Sequence, residues 1–303
     1  MNSGASHAKL RKTVFIFCTA NNLWLNVHVT KKMTLMINFR SSIILLKCVS
    51  TLIRFISSLV ILLGLSFSVQ ADQATPTIVL VGEDEWYPYS AYKDGKLQGL
   101  AVDLIEAAYA AVNVKVQFKT ASYSRCMMLA ESGQELGCFD SLKDSKLSKT
   151  HLFHQEPLFT AEIGIYARAS STENNIKPRD LREKHVGVTH GYTYSDEIDG
   201  SQFIQREVAP TDVSNLRKLL LNRSEYSLVY TRVVDYLVSK YPSEFKDKVR
   251  QVGSLNQSEL YLSFSKHRPE AKKFANLLDL GLRKIKKNGM YAQIEQKWRT
   301  PPP

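Results

Sequence analysis

Glu83, Asp84 and Glu85 form one acidic run and Asp140 stands alone further on, so the chain offers four carboxylates for general acid or base work. Such work needs two of them poised on one reacting group, and no spacing here sets up a catalytic pair. Nucleophile chemistry finds no local signature either, whether of the Ser-His-Asp or of the Cys-His kind. Cys126 and Cys138 are twelve residues apart, too wide for a CxxC redox or zinc site. Five His follow residue 71, none grouped with Cys at ligand spacing. No catalytic residue, metal or cofactor is therefore expected.

Residues 1–71 must be set apart before the elements that position these side chains are sought. Eight of the 40 Lys and Arg and none of the 29 Asp and Glu fall there, so the remainder carries 32 basic against 29 acidic side chains, a net of +3 rather than +11. The apolar block Phe55 to Val69 follows Lys47 and Arg54 and ends in Val69-Gln70-Ala71, the pattern of a secretory signal peptide cut after Ala71. Its uncharged run falls short of the roughly 20 residues that span a bilayer. Cys48 precedes the apolar block, so a lipid anchor is not expected. Met33 and Met36 both precede a signal of conventional length, which leaves residues 1–32 without a structural role. The balanced remainder has no basic cluster interleaved with aromatics and gives no support to a nucleic-acid partner. Export also permits a Cys126–Cys138 disulfide; two buried thiols are the alternative.

After the leader, strand and helix signals alternate. Thr77 to Val81 is a β-branched run ending at Gly82, which suits a buried opening strand. Leu100, Leu104, Ile105, Ala108 and Ala111 recur at helical spacing. Val114, Val116 and Phe118 alternate with polar residues as in a half-buried strand. A helix over Ser124 to Ser132 and a strand near Cys138 to Ser141 follow, then a strand over Ala161 to Ala167. Ser170 to Pro178 is a linker. Beyond it come a strand at His185 to Thr189, a turn at Gly191-Tyr192 with a helix starting at Tyr194, and a loop and helix over Val208 to Leu221. A strand at Tyr226 to Tyr230, a helix at Val233 to Ser239 and a strand at Glu259 to Phe264 complete the second unit. A long amphipathic helix opens at Pro269, where proline is tolerated in the first turn. Strand-helix alternation of this kind is an α/β pattern.

The order of these motifs resembles the family-3 extracytoplasmic solute-binding proteins, receptors of polar amino-acid ABC importers. Trp86-Tyr87-Pro88-Tyr89, Gly95 and Gly99-Leu100-Ala101-Val102-Asp103-Leu104 are similar to the family's opening. Tyr123-Ser124-Arg125 with Gly133, and the stretch Phe153 to Phe159, are similar to its next segments. Val186-Gly187-Val188 with Gly191-Tyr192-Thr193-Tyr194, and Lys287 to Tyr291, are similar to its second half and end.

The resemblance implies a two-lobed, type II periplasmic-binding-protein-like fold, each lobe a mixed sheet flanked by helices, joined by two hinge strands near Glu162 to Ala167 and Glu259 to Phe264. Residues 72–162 with 263–303 would form lobe one and 163–262 lobe two. A monomer in the periplasm would close around a small polar ligand, amino-acid-like or an organic anion, for an ABC permease. The alternatives on the same fold are a dehydratase-type enzyme and a ligand-sensing partner of a membrane receptor. The aromatic wall falls to Tyr89 with Trp86, and Tyr123 leads the aromatic-x-Arg segment. Donors for an anion would be Arg125, Ser141, Lys143 and the Gly191, Tyr192 and Thr193 turn, at what would be a helix start. Trp86 equally suits packing of its loop, and Arg125 an ion pair. Two departures argue against an ordinary α-amino acid: Ser148 and Lys149 stand where the carboxylate-gripping Arg belongs, and Tyr230 and Thr231 where the ammonium-holding acid belongs.

Overall fold

The structure, a computed structural model, describes residues 75–299; the signal peptide and the cut after Ala71 lie outside the described residues. One nine-stranded mixed sheet runs through it in the order β10-β9-β11-β8-β12-β6-β1-β5, with β7 pairing beside β12. Strand β1 (Thr77–Glu83) is buried on both faces from Leu80 onward and lies parallel between β5 (Lys115–Ala121) and β6 (Gly137–Leu142). That burial explains its continuous apolar run, whereas the edge strand β5 keeps the alternating pattern. Helix α1 (Leu100–Ala110) makes the crossover from β1 to β5, and α2 (Tyr123–Glu131) the one from β5 to β6.

Between β1 and α1 a three-stranded antiparallel sheet of β2 (Glu85–Trp86), β3 (Ser90–Lys93) and β4 (Lys96–Gln98) carries the aromatic loop. The first turn of α1 pins that loop: Leu100 N–H donates to Pro88 O and Ala101 N–H to Tyr89 O, each at 3.0 Å. Gly99 makes the approach possible, because a Cβ there would lie 2.1 Å from Tyr89 O and its φ is 149°. Helix α2 buries Tyr123, Cys126, Met127 and Ala130 on one face, and Cys126 is bonded to Cys138 on β6 with Cα atoms 5.5 Å apart. The bridged alternative is the one the fold adopts.

A one-turn α3 (Leu147–Thr150) leads to β7 (His151–Phe153), after which β8 (Phe159–Arg168) leaves for the far half of the sheet. There β9 (His185–Thr189), β10 (Gln205–Ala209) and β11 (Tyr226–Tyr230) are mutually parallel, joined by α4 (Asp196–Asp199) and α5 (Asp212–Leu220). After α6 (Thr231–Lys240) and α7 (Pro242–Phe245), β12 (Val249–Ser265) returns antiparallel along the whole of β8 and then pairs with β6 and β7.

Three elements differ from their sequence reading. Residues 205–209 form a strand where none was expected, α4 is one turn long, and β12 has 17 residues instead of the six, Glu259 to Phe264, that were expected. The stretch Gln251 to Ser258 holds its place by backbone pairing and by burying Val252 and Leu255 in the core, with irregular register on both sides of Ser254.

The terminal helices α8 (Ala271–Lys287) and α9 (Met290–Arg299) pack back onto the first half. Buried Asp279 on α8 anchors the connection after β7, accepting from the N–H groups of Gln155 and Glu156 at 2.9 Å each. His154 Nε2 accepts from Leu262 N–H at 3.0 Å, which leaves Nδ1–H to donate to Asp279 at 3.3 Å. Burial lowers the His154 pKa, in keeping with this neutral tautomer. Asp279→Ala should cost about 3 kcal/mol, since it strands two backbone donors and a histidine at once; urea unfolding checks this. Replacing Cys126 and Cys138 together by Ser should cost about 3 kcal/mol for so short a loop, and the unsubstituted protein, denatured without reductant, should show no free thiol at either position.

Candidate functional site

Loops at the carboxyl ends of β1, β6, β9 and β11 converge on one small cavity, the place where open α/β sheets gather their ligands. From one half come Glu83, Trp86, Tyr123, Asp140 and Leu142, and from the other Tyr192, Thr193 and Tyr230. The free space is about 10 Å³, which is room for about one water. Rings close it across the two halves: Trp86 meets Tyr230 edge-on at 4.8 Å and Tyr123 meets Tyr192 edge-on at 5.1 Å. Tyr192 Oη–H donates to Glu83 at 2.5 Å, a direct link between the halves.

The chemical character of this cavity is acidic. Glu83 ends β1, Asp140 lies in β6 with an unusual φ of 69°, and Asp212 opens α5 with Thr189 Oγ1–H donating to it. Left-handed backbone at a non-glycine inside a strand is the kind of strain that functional sites retain. Both oxygens of Asp140, Asp212 Oδ2, Trp86 Nε1 and Thr193 Oγ1 are buried without a partner. Burial pushes the Glu83 carboxyl well above the usual range; the Tyr192 bond opposes this, and Asp212, Asp140 and Asp84 add to it. Burial likewise lifts Asp140 well up and takes Asp212 to about 7 against the Thr189 bond. A carboxyl in that condition is neutral at the pH where an exposed one is charged.

The residues expected from sequence divide into three groups. Trp86, Tyr123, Tyr192 and Thr193 line the cavity. Tyr89 stands behind Trp86, 4.4 Å from it, and stacks on Phe159 at 5.0 Å, with the Arg232 guanidinium 5.3 Å over its ring. Ser141 is buried beneath, sharing a 3.0 Å hydrogen bond with Ser263. Gly191, at φ 83°, lets the turn approach Ser124, to whose Cβ a side chain at Gly191 would come within 2.8 Å. Thr231 starts α6, half-buried.

Arg125 and Lys143 are exposed and outside the lining, Lys143 lying over the Tyr261 ring at 5.6 Å. The Gly191 to Tyr194 turn does not open a helix: α4 begins at Asp196, and the Tyr192 and Tyr194 N–H groups already donate to Thr189 O and Asp199. Asp212 and its role escaped the sequence reading, because Thr211-Asp212 looks like an ordinary helix start. The signal for Asp140 was a charged residue inside the run Gly137-Cys138-Phe139 to Leu142. A second hollow, about 320 Å³, borders Asp212 from the side of Asp84 and Glu85 and includes Lys93 and Lys240 among its walls.

The profile of the bacterial extracellular solute-binding proteins, family 3, matches residues 78–301, and the chain belongs to that family. No curated protein matches the sequence. Among solved structures, an ancestral arginine-binding protein bound to arginine is similar with TM-score 0.62 at 21% identity, over 73% of this chain and 97% of that one. The arginine-, lysine-, histidine-binding protein ArtJ from the thermophilic bacterium Geobacillus stearothermophilus aligns at TM-score 0.62 and 19% identity, over 75% and 96%. A histidine kinase sensor domain with similarity to periplasmic binding proteins aligns at TM-score 0.64 and 20% identity, over 73% and 95%. These likenesses establish a periplasmic-binding-protein-like fold.

A pH dependence follows from the buried acids. The Asp212 carboxyl ionises near 7 when folded and near 4 when unfolded. The stability gained from its protonated form is therefore fully present below about 4 and is lost as pH rises through about 7. Thermal unfolding of ligand-free protein should show stability falling across that window. Asp212→Asn keeps an acceptor for Thr189 and should flatten the fall.

Proposed function

We propose that the protein is a periplasmic receptor that binds one small polar ligand between two hinged lobes and presents it to an ABC permease, without turnover. The single observation that carries this reading is the convergence of side chains from both halves of one sheet on a cavity too small for a ligand until it opens. On this reading 72–162 with 263–303 is one lobe and 163–262 the other. The hinge is the stretch where β8 and β12 pass between them, and closure brings Trp86 to Tyr230 and Tyr192 to Glu83. The receptor works as a monomer, after loss of a signal peptide at Ala71.

One observation favours a second reading. Glu83 and Asp140 are carboxyls whose pKa burial raises well above the usual range, a shift that suits a general acid. A dehydratase-type activity would use them, and incubation with unsaturated carboxylic acids would reveal it as product.

The receptor reading is tested by a melting-curve screen of polar metabolites. A true ligand at 100 times its Kd should stabilise by about 2.7 kcal/mol and remain unchanged on recovery. Trp86→Ala should then weaken that ligand by about 2 kcal/mol, roughly 30-fold, through loss of the ring that spans the closure. Chemical conversion of the ligand, or an affinity indifferent to Trp86, would count against capture in this cavity.

A further inference from the structure

The cavity is one-sided in charge. No Lys, Arg or His is among its lining residues, while Glu83 and Asp140 line it and Asp212 adds to the field on Glu83. Asp140 is only 6% exposed and neither of its carboxylate oxygens has a donor. Buried acceptors of this kind are normally satisfied, so an unsatisfied pair aimed into a cavity points to a donor brought from outside. The rings of Trp86, Tyr123, Tyr192 and Tyr230 surround the same space, and aromatic faces around a carboxylate attract organic cations. An incoming anion would find no charged donor in the lining. Trp86 Nε1–H, also unpartnered, asks for one neutral acceptor. Among the described residues no group of His, Cys, Asp and Glu could hold a metal ion, so the cation is organic.

We propose that the ligand is a small organic ammonium or guanidinium cation that carries no carboxylate. The inference rests on the receptor reading and names the ligand class of that same site. Asp140 receives the cationic head among the rings, and Trp86 Nε1–H donates to a neutral group of the ligand. Arrival of the cation favours the ionised carboxyls, so uptake expels protons. The groups facing these carboxyls agree with this: Asp84 beside Glu83, Tyr123 from α2, Tyr192 and Tyr194 from the turn after β9, and Tyr230 from β11 are acids or neutral phenols. The Arg232 guanidinium is turned to the Tyr89 ring and donates to Trp298 O.

Matched pairs that differ in the carboxylate make the test. Titration calorimetry at neutral pH would compare agmatine, 1,5-diaminopentane and histamine with arginine, lysine and histidine, and with glutarate as the anion. At least one amine should bind about tenfold or more tightly than its parent amino acid. Its binding heat should vary with the ionisation enthalpy of the buffer, the sign of released protons. Asp140→Asn should weaken it by about tenfold or more, and Glu83→Gln serves the same purpose if the first variant does not fold. An amino acid or glutarate binding as tightly as any amine overturns the ligand class while leaving the receptor reading intact. No binding by any of the amines at millimolar concentration also overturns the ligand class, and the wider melting screen then decides the receptor reading separately.

Discussion

The antiparallel ladder between β8 and β12 is the constraint on which the rest depends. Every other strand of the nine-stranded sheet is attached on one side or the other of this pair. β8 hands over to β11, β9 and β10, and β12 to β6, β1 and β5. Because β1 and β6 run parallel to each other, and β9 and β11 likewise, each half presents a single set of carboxyl ends. The ladder sets those two sets of ends facing one cavity. Its register is irregular between Gln251 and Gly253 and between Ser254 and Gln257, where backbone pairing is weakest. The proposed hinge would need just such a segment, in which a few residues can absorb a rotation without unpacking either half.

The proposed closure then sets an electrostatic problem. Holding the buried Asp212, next to the cavity, ionised well above pH 7 would cost about 4 kcal/mol, from the distance between its value of about 7 and the ordinary 3.8. That value already includes the opposing bond from Thr189, so the bond leaves the cost standing. The proposed closed state must therefore either keep its carboxyls protonated or hold a counter-charge. The aromatic rings cannot solvate an anion, but they leave the acidic oxygens dry and thereby strengthen any charge pair formed there.

Much of the fold was legible because local patterns and tertiary roles agreed. The buried β1, the alternating β5 and the amphipathic α8 each show in the sequence the face they bury. β10 and the outer part of β12 were not legible, since polar strands held by their neighbours' backbone carry little periodicity of their own. At the site, the aromatic residues were readable, whereas the cationic donors expected there, Arg125 and Lys143, lie outside the lining. Arg125 shows why: Tyr123, Cys126, Met127 and Ala130 form the buried face of α2, and the bridge to Cys138 fixes the rotation of that helix. A residue immediately before Cys126 is turned about 100° away from it, and so Arg125 faces solvent. The helical spacing held that information, although the resemblance drew attention to the residue type instead.

The same shift of position accounts for the second-lobe acid that the resemblance led one to expect after β11. Tyr230 occupies the strand end, with its ring against Trp86 and the pKa of its hydroxyl raised by burial, and Thr231 merely opens α6. A carboxylate at that point would displace a ring that closes the cleft. Acidity is supplied from elsewhere: Asp140 from β6 and Glu83 from β1 line the cavity, and Asp212 on α5 adds its field to Glu83. Replacement of a charged strand end by a ring thus does not leave the cleft without acids. It moves them around the cavity wall and leaves the space between them bounded by π-faces, which is a different recognition problem from gripping an α-amino acid by both of its charges.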